Sequence, residues 1–274
     1  QAIGIIKRIL HPTKIGHAGT LDPEAFGILP IALGEATKTI QFTQDKKKTY
    51  IFEVTWGEER NTDDIEGEVI NSSEVCPTKE QIEEIIPQFL GEIEQTPPKF
   101  SAIKINGKRA YKLSRDGEDI EIPSRSVFVH KLELLESSTN TAKFEMECGK
   151  GTYVRSIGRD MGRILGCFGY ISSLERTKVG NFDKKDAILL DKLEEKVLSS
   201  GQDYLVLPIK TVLDDISELA LTDSEIQRIK YGQTIANSKN FTQGSIVLSC
   251  DSKNPLALLK ADGDELKIMR KFNL

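Results

Sequence analysis

The feature that most constrains this chain is the run Gly16-His17-Ala18-Gly19-Thr20-Leu21-Asp22-Pro23, followed closely by Gly27. Such a run cannot be the interior of a helix or of a central strand. Pro23 biases Asp22 away from helical backbone angles, and the glycines permit tight or left-handed turns and the close approach of a large ligand. One carboxylate is therefore carried on an extended segment between turns. Taken alone, an Asp before Pro-Glu-Ala reads as the N-cap of the turn that follows, so a chemical role has to come from what surrounds it.

The rest of the chain divides into periodic stretches. Ile3, Ile5, Ile6, Ile9 and Leu10 predict a helix over residues 3–10 that Pro12 ends. Tyr50, Phe52, Val54 and Trp56 alternate with Thr49, Ile51, Glu53 and Thr55, the pattern of a half-buried strand on which Tyr50 is an exposed end of the core face. Thr78-x-x-Gln81 is a capping box, opening a helix at about 78–90 with Ile82, Ile85, Ile86 and Phe89 inward and Pro87 kinking or shortening it. Residues 127–135 and 141–148 read as two strands joined by a polar turn. After Gly151, Val154, Ile157, Met161, Ile164 and Leu165 recur at helical spacing, while Arg155, Arg159 and Arg163, four apart, share another face. Residues 97–126 differ: Pro97-Pro98, Asn106-Gly107 and Asp116-Gly117 punctuate a basic stretch with little apolar periodicity, an excursion from the core. Residues 184–210 read as one helix and a linker, and from about 213 a short helix at 222–231 and strands near 245–250, 255–260 and 265–271 form a small β-rich module.

At 274 residues the chain can bury one large core and a smaller one. No apolar run approaches the roughly 18 residues that span a bilayer, and Gln1-Ala2-Ile3 opens neither a signal nor a transit peptide, so a cytoplasmic protein is expected. Cys76, Cys148, Cys167 and Cys250 lie far apart and suggest neither a disulfide framework nor a zinc ribbon; three histidines without a supporting acid or cysteine cluster make a metal site at His17 improbable. The net charge of −5 hides a segregation. Residues 51–96 carry thirteen acids against two bases, whereas Lys99, Lys104, Lys108, Arg109, Lys112 and Arg115 follow one another with no acid between. Lys150, Arg155, Arg159 and Arg163 form a second basic set. A phosphate backbone responds to local potential, so an acidic protein can bind RNA through such patches, although charge runs are usually solvated faces.

The stretch GHAGTLDPEAFGILPIALGEATK, Gly16 to Lys38, resembles the catalytic motif of the TruB family of tRNA pseudouridine synthases, and further blocks follow in family order: KKTYIFEVTWG from Lys47, PPKFSAIKINGKRAYKLSR from Pro97, KGTYVRSIGRDMG from Lys150 and SLERTKVGNF from Ser173. The resemblance spans most of residues 1–182. It implies an α+β fold, with a mixed, mainly antiparallel sheet core and flanking helices over residues 1–212, an RNA-gripping thumb at about 97–126, and a PUA-like RNA-binding domain at 213–274. The family begins with a Lys-Pro-x-Gly-x-Thr-Ser segment that this sequence does not show before its first helix, so that segment is expected to be missing.

The resemblance also implies roles. Asp22 is the essential nucleophile or base; a carboxylate used this way needs a fixed cation beside it, and Arg155 matches the family arginine that pairs with it. Without the match Arg155 is an ordinary arginine on a basic face. Tyr50 matches the tyrosine that stacks on the target base and is a candidate for proton transfer at C5. Leu174, otherwise a core leucine, aligns with a residue lining the uracil pocket, and Asp64 with an acid near the site; Asn61 stands where an acid is common. His17 is expected to hold the RNA loop rearranged around a flipped nucleotide, and Lys14, Lys104, Lys108, Arg109, Lys112 and Tyr153 to contact the RNA.

The implied substrate is the uridine at position 55 in the T loop of tRNA, acted on by a monomer without a metal, nucleotide or redox cofactor and without an obligate protein partner. Three rivals stand beside this reading. One is the guide-RNA-dependent relative, which the 97–126 insertion opposes. Another is a non-catalytic tRNA-folding chaperone, opposed by the joint presence of Asp22, Tyr50 and Arg155. The third is a glycoside hydrolase, for which no second carboxylate stands in a comparable setting.

Overall fold

The strand Lys48–Trp56 places Phe52, Val54 and Trp56 on one buried face, as the alternation predicts, and two strands flank it antiparallel. The computed structural model in which this is seen describes residues 2–101, 103–105, 107–115, 121–201, 204–252 and 254–274, with 104, 105, 109, 112, 114 and 115 described by their backbone alone. By compactness the chain forms two units, one of residues 20–29 and 45–187, the other of 1–19, 30–44 and 188–274.

The first unit is built on a seven-stranded sheet. Its order runs Phe182–Asp183, Gly169–Val179, Lys48–Trp56, Thr141–Cys148, Arg125–Ser137, Gly91–Gln95, every neighbour antiparallel, and the short strand Ala25–Gly27 adds to Gly169–Val179 in parallel. Phe52 stands directly opposite Phe144, and Val54 opposite Ala142, so the apolar positions coincide across the pair. The two phenyl rings stack with centroids 5.3 Å apart. The helix Val154–Ile164 lies on this face and contributes Ile157 and Met161 to the core. Its glycines explain how closely it lies: a Cβ on Gly162 would stand 2.3 Å from the backbone of Phe168 and of Gly169. The predicted capping box forms, Thr78 Oγ1 accepting from Gln81 N–H while Gln81 Oε1 accepts from Thr78 N–H. Pro87 shortens that helix to Lys79–Ile85, continued as a 3-10 turn Ile86–Phe89. In the insertion a two-residue hairpin, Lys104–Ile105 with Lys108–Arg109, leads into the helix Ala110–Arg115, which buries Ala110 and Leu113 and exposes Tyr111. The expected Asp116-Gly117 turn lies outside the described residues.

The second unit carries the predicted helix as Ala2–Leu10 and a two-stranded ribbon in which Ile15–His17 pairs antiparallel with Ile31–Leu33. Its β-rich module is a five-stranded sheet in the order Ser217–Ala220, Ile246–Asp251, Asn254–Asp262, Glu265–Lys271, Ile235–Ala236, with the helix Asp223–Lys230 opened by a second capping box, Thr222 and Glu225. Leu248, Leu258, Leu259 and Leu266 are among its fully buried side chains. No helix of the described residues is long and apolar enough to cross a membrane.

Candidate active site

Asp22 sits on a segment that the sheet holds in place. Ala25–Gly27 pairs with Leu174–Arg176, and the buried Arg176 guanidinium reaches back across the same segment, donating from Nε to the Ile28 carbonyl at 2.7 Å and from Nη1 to the Thr20 carbonyl at 3.3 Å. Gly27 is required for that approach, because its φ is +102° and a Cβ would lie 2.2 Å from the Arg176 carbonyl oxygen. The turn after Asp22 is closed by backbone, Ala25 N–H donating to the Asp22 carbonyl. The side chain is thereby left for another partner.

That partner is Arg155. Nη2 donates to Asp22 Oδ1 at 3.2 Å, and Nε lies 2.9 Å from Oδ2, a charge contact outside hydrogen-bond alignment. The Arg155 side chain is 6 % exposed, and Asp22 is 35 % exposed at the mouth. The other Arg155 bonds go to the Thr62 carbonyl (2.9 Å), Asp64 Oδ2 (3.1 Å) and the Phe100 carbonyl (3.1 Å). Asp64 is held in turn by the Thr62 hydroxyl at 2.6 Å and the Glu66 N–H at 3.2 Å. The expected Asp22, Arg155 and Asp64 are thus one connected network. Asn61 keeps a backbone duty there, accepting from the Glu68 N–H.

Tyr50 occupies the strand register opposite Arg176 on one side and Met146 on the other. Where alternation suggests an exposed end of the core face, its side chain packs against the main core and is half-buried. Burial, with smaller contributions from Cys148 and Asp22 against an opposing one from Arg176, pushes its phenol up to about 12. Leu174 packs into the main core and also lines a small cleft with Asp22, Asp64, Ile65 and Arg155.

Tyr153 is the residue before the helix. Its backbone is gripped by the buried Gln95 amide, whose Oε1 accepts from Tyr153 N–H at 2.7 Å and whose Nε2 donates to the Tyr153 carbonyl at 3.1 Å. The Arg125 guanidinium stands over its ring at 5.0 Å. Lys108 is exposed in the insertion, whereas the side chains of Lys104, Arg109 and Lys112 lie outside the described residues. Lys14 and His17 belong to the other unit, Lys14 exposed and the His17 Nδ1 buried without a partner.

The second basic set splits, Arg155 and Arg159 being buried and Arg163 and Lys150 exposed. Arg159 donates to Asp63 Oδ2 at 2.9 Å and Arg163 pairs with Glu59 at 2.5 Å, so with Arg155 on Asp64 the helix presents three arginines to three acids of the 59–64 segment. Of this set Lys150, paired with Asp45, stays well exposed with its partner. Asp63, Glu59, Gln95 and Arg176 are not singled out by sequence reasoning; the four-residue arginine spacing and the SLERTKVGNF block are the signals that point toward them. Among the described residues no three His, Cys, Asp or Glu side chains gather as a metal-binding group.

Residues 7–154 match the model of the TruB family pseudouridylate synthase N-terminal domain, and residues 155–214 that of the tRNA pseudouridylate synthase B C-terminal domain. A Bradyrhizobium diazoefficiens protein named tRNA pseudouridine synthase B is 48 % identical over 283 residues, covering all of this chain and 82 % of that protein. The Ehrlichia ruminantium protein of the same name is 48 % identical over 287 residues, covering all of this chain and 95 % of its own length. Among solved structures, a Cbf5-Nop10-Gar1 complex shares the fold with a TM-score of 0.76 at 24 % identity, over 99 % of this chain and 80 % of that one.

Proposed function

The chain belongs to the TruB family of pseudouridylate synthases, and we propose that it isomerises uridine to pseudouridine in tRNA, at position 55 of the T loop, with Asp22 as nucleophile or base. The observation that carries the assignment of Asp22 is its pairing with a nearly buried arginine at the mouth of a cleft lined by Leu174.

The reaction breaks the bond from C1′ to N1, turns the uracil over and joins C1′ to C5. C5 gives up a proton and N1 gains one, so nothing is oxidised and no water is consumed, and the balance requires no metal, nucleotide or redox cofactor. Cleavage develops positive charge on the sugar, and Asp22 answers it, either by attack at C1′ or by taking a sugar proton to give a glycal. Arg155 fixes the carboxylate from one side and leaves the other open to the cleft. Asp64 acts through Arg155. Tyr50 is a neutral phenol at physiological pH, suited to stacking on the base; in transfer at C5 it accepts a proton only as it passes its own on. A uridine inside a folded loop cannot reach Asp22 without leaving its stack, which is the work assigned to His17, with Lys14, Lys104, Lys108, Arg109, Lys112 and Tyr153 gripping the RNA.

In this reading residues 1–212 carry the reaction and 213–274 form a PUA-like RNA-binding module of a cytoplasmic monomer that needs no obligate protein partner. Identities of 46–48 % with proteins named tRNA pseudouridine synthase B, against 22–24 % with the Cbf5 and H/ACA structures, favour the stand-alone enzyme over a guide-RNA-dependent one. Incubation with unmodified tRNA followed by chemical mapping of pseudouridine tests it. A single new pseudouridine at position 55 is expected, and modification elsewhere, or only with an added guide RNA, would overturn the assignment.

A further inference from the structure

One helical turn beyond Arg155, the Arg159 guanidinium uses all three of its nitrogens. Nη1 donates to Asp63 Oδ2 at 2.9 Å, Nη2 to the Thr96 carbonyl at 2.8 Å and Nε to Asp160 at 2.8 Å. Asp63 and Thr96 lie on the two segments that Arg155 also binds, at Thr62 and Asp64 on one and at Phe100 on the other. The two arginines therefore staple the same pair of segments, and one of them also holds Asp22.

Asp63 is an unusual place for a side chain. Its φ is +62°, a left-handed conformation that Asp tolerates better than most residues but that still costs energy. Its N–H donates to the Arg60 carbonyl and its own carbonyl accepts from Ile171 N–H. This turn points the Thr62 carbonyl and the Asp64 carboxylate at Arg155, and the Asp63 side chain is what Arg159 grips. We propose that the Asp63–Arg159 pair is a positioning device for the reaction, fixing the turn whose acceptors set the angle of the Arg155 guanidinium against Asp22. It rests on the reading of Asp22 as the reacting carboxylate.

Burial pushes the Asp63 carboxyl up to about 6, with Arg159, Arg155 and Arg163 acting against that shift and Asp160 adding to it. On its own segment the Arg60 carbonyl accepts from the Asp63 N–H, while the Arg60 guanidinium is turned to Glu58 and stands over the Tyr170 ring of the adjoining strand. Below about pH 6 the pair loses one of its charges and the turn one of its restraints.

The test uses the whole chain and a T-arm stem-loop RNA in single-turnover reactions, with binding and thermal unfolding measured alongside. Asp63→Asn keeps the shape and loses the charge, Arg159→Lys keeps the charge and loses the fork, and Asp63→Gly relieves the left-handed backbone should Asp63→Asn fold poorly. Each is expected to lower the single-turnover rate at pH 8 by about 10-fold or more, since small misplacements of reacting groups cost up to about 10²-fold, with Kd within about 3-fold of wild type. The ratio of wild-type to Asp63→Asn rates is expected to fall toward unity at pH 5.5. Wild-type rates in folded variants, with only the melting temperature lowered, would overturn the inference, as would a rate ratio independent of pH. An Asp22→Asn control separates the two claims: if it is inactive while the Asp63 and Arg159 variants are normal, only the positioning role fails.

Discussion

The helix Val154–Ile164 and the insertion at 97–126 are both dense in arginine and lysine, yet the helix turns its charges onto the acids of residues 59–64 while the insertion shows solvent an exposed Lys108 and buries only Ala110 and Leu113 among the described side chains of its own short helix. Sign alone therefore does not say what a basic run is for. What distinguishes the two is the location of compensating acid. The thirteen acids of residues 51–96 include those that the sheet brings against the helix, whereas the insertion has none between Lys99 and Arg115. A buried pair with its remaining hydrogen bonds filled is costly to break from one side, while a solvated lysine is available to a phosphate.

The largest effect that tests this contrast is at the helix. Arg155→Met leaves Asp64 buried without its guanidinium and Asp22 without its partner, and is expected to lower stability by about 3–5 kcal/mol in urea denaturation. The folded fraction should lose activity by about 10²–10⁴-fold. Stability close to wild type would mean that the helix arginines are no more internal than the lysines of the insertion.

Next is Gly162→Ala, on the same helix, where the new methyl would press on the Phe168–Gly169 backbone. Overpacking of this kind costs about 1–3 kcal/mol, read as a lowered melting temperature, and an unchanged one would show that the helix can lift off the sheet without penalty.

In the insertion the expected change is in binding and not in folding. Alanine at Lys104, Lys108, Arg109 and Lys112 together should weaken tRNA binding and flatten its salt dependence by up to about 0.7–0.9 in log–log slope for each phosphate no longer neutralised. Stability should stay within about 0.5 kcal/mol. An unchanged slope would reduce the stretch to a solvated face. The smallest effect belongs to Lys150→Ala, which removes an exposed pair with Asp45 and should change stability by at most about 1 kcal/mol.

What is legible in the sequence is local. The Thr78–Gln81 box, the alternation of residues 50–56 and the 3.6-residue period after Gly151 each reflect neighbours within a turn or a strand, and each forms as expected. Asp22 and Arg155 meet across 133 residues of chain, and resemblance, not periodicity, is what joins them in the sequence. The features that escape share one physical character: they are polar side chains satisfying backbone or opposite charge across long separations. Gln95 clasps Tyr153 58 residues on, Arg176 spans back to Ile28, and Arg159 reaches Asp63. A hydrophobic period announces a buried face, but nothing in the spacing of a glutamine or an arginine announces which distant carbonyl it will meet. Tyr50 keeps the alternation on the core face, where it packs against the main core and is half-buried.

The most direct measurement is single-turnover conversion of a short T-arm stem-loop by wild-type protein and by Asp22→Asn, with the affinity of each for the same RNA. The amide preserves the shape of the side chain and an interaction with Arg155 but can act neither as nucleophile nor as base. The variant is expected to bind the RNA within a few-fold of wild type, to unfold at nearly the same temperature and to make no detectable pseudouridine. Conversion by purified Asp22→Asn at the wild-type rate would contradict the assignment of Asp22 as the reacting carboxylate.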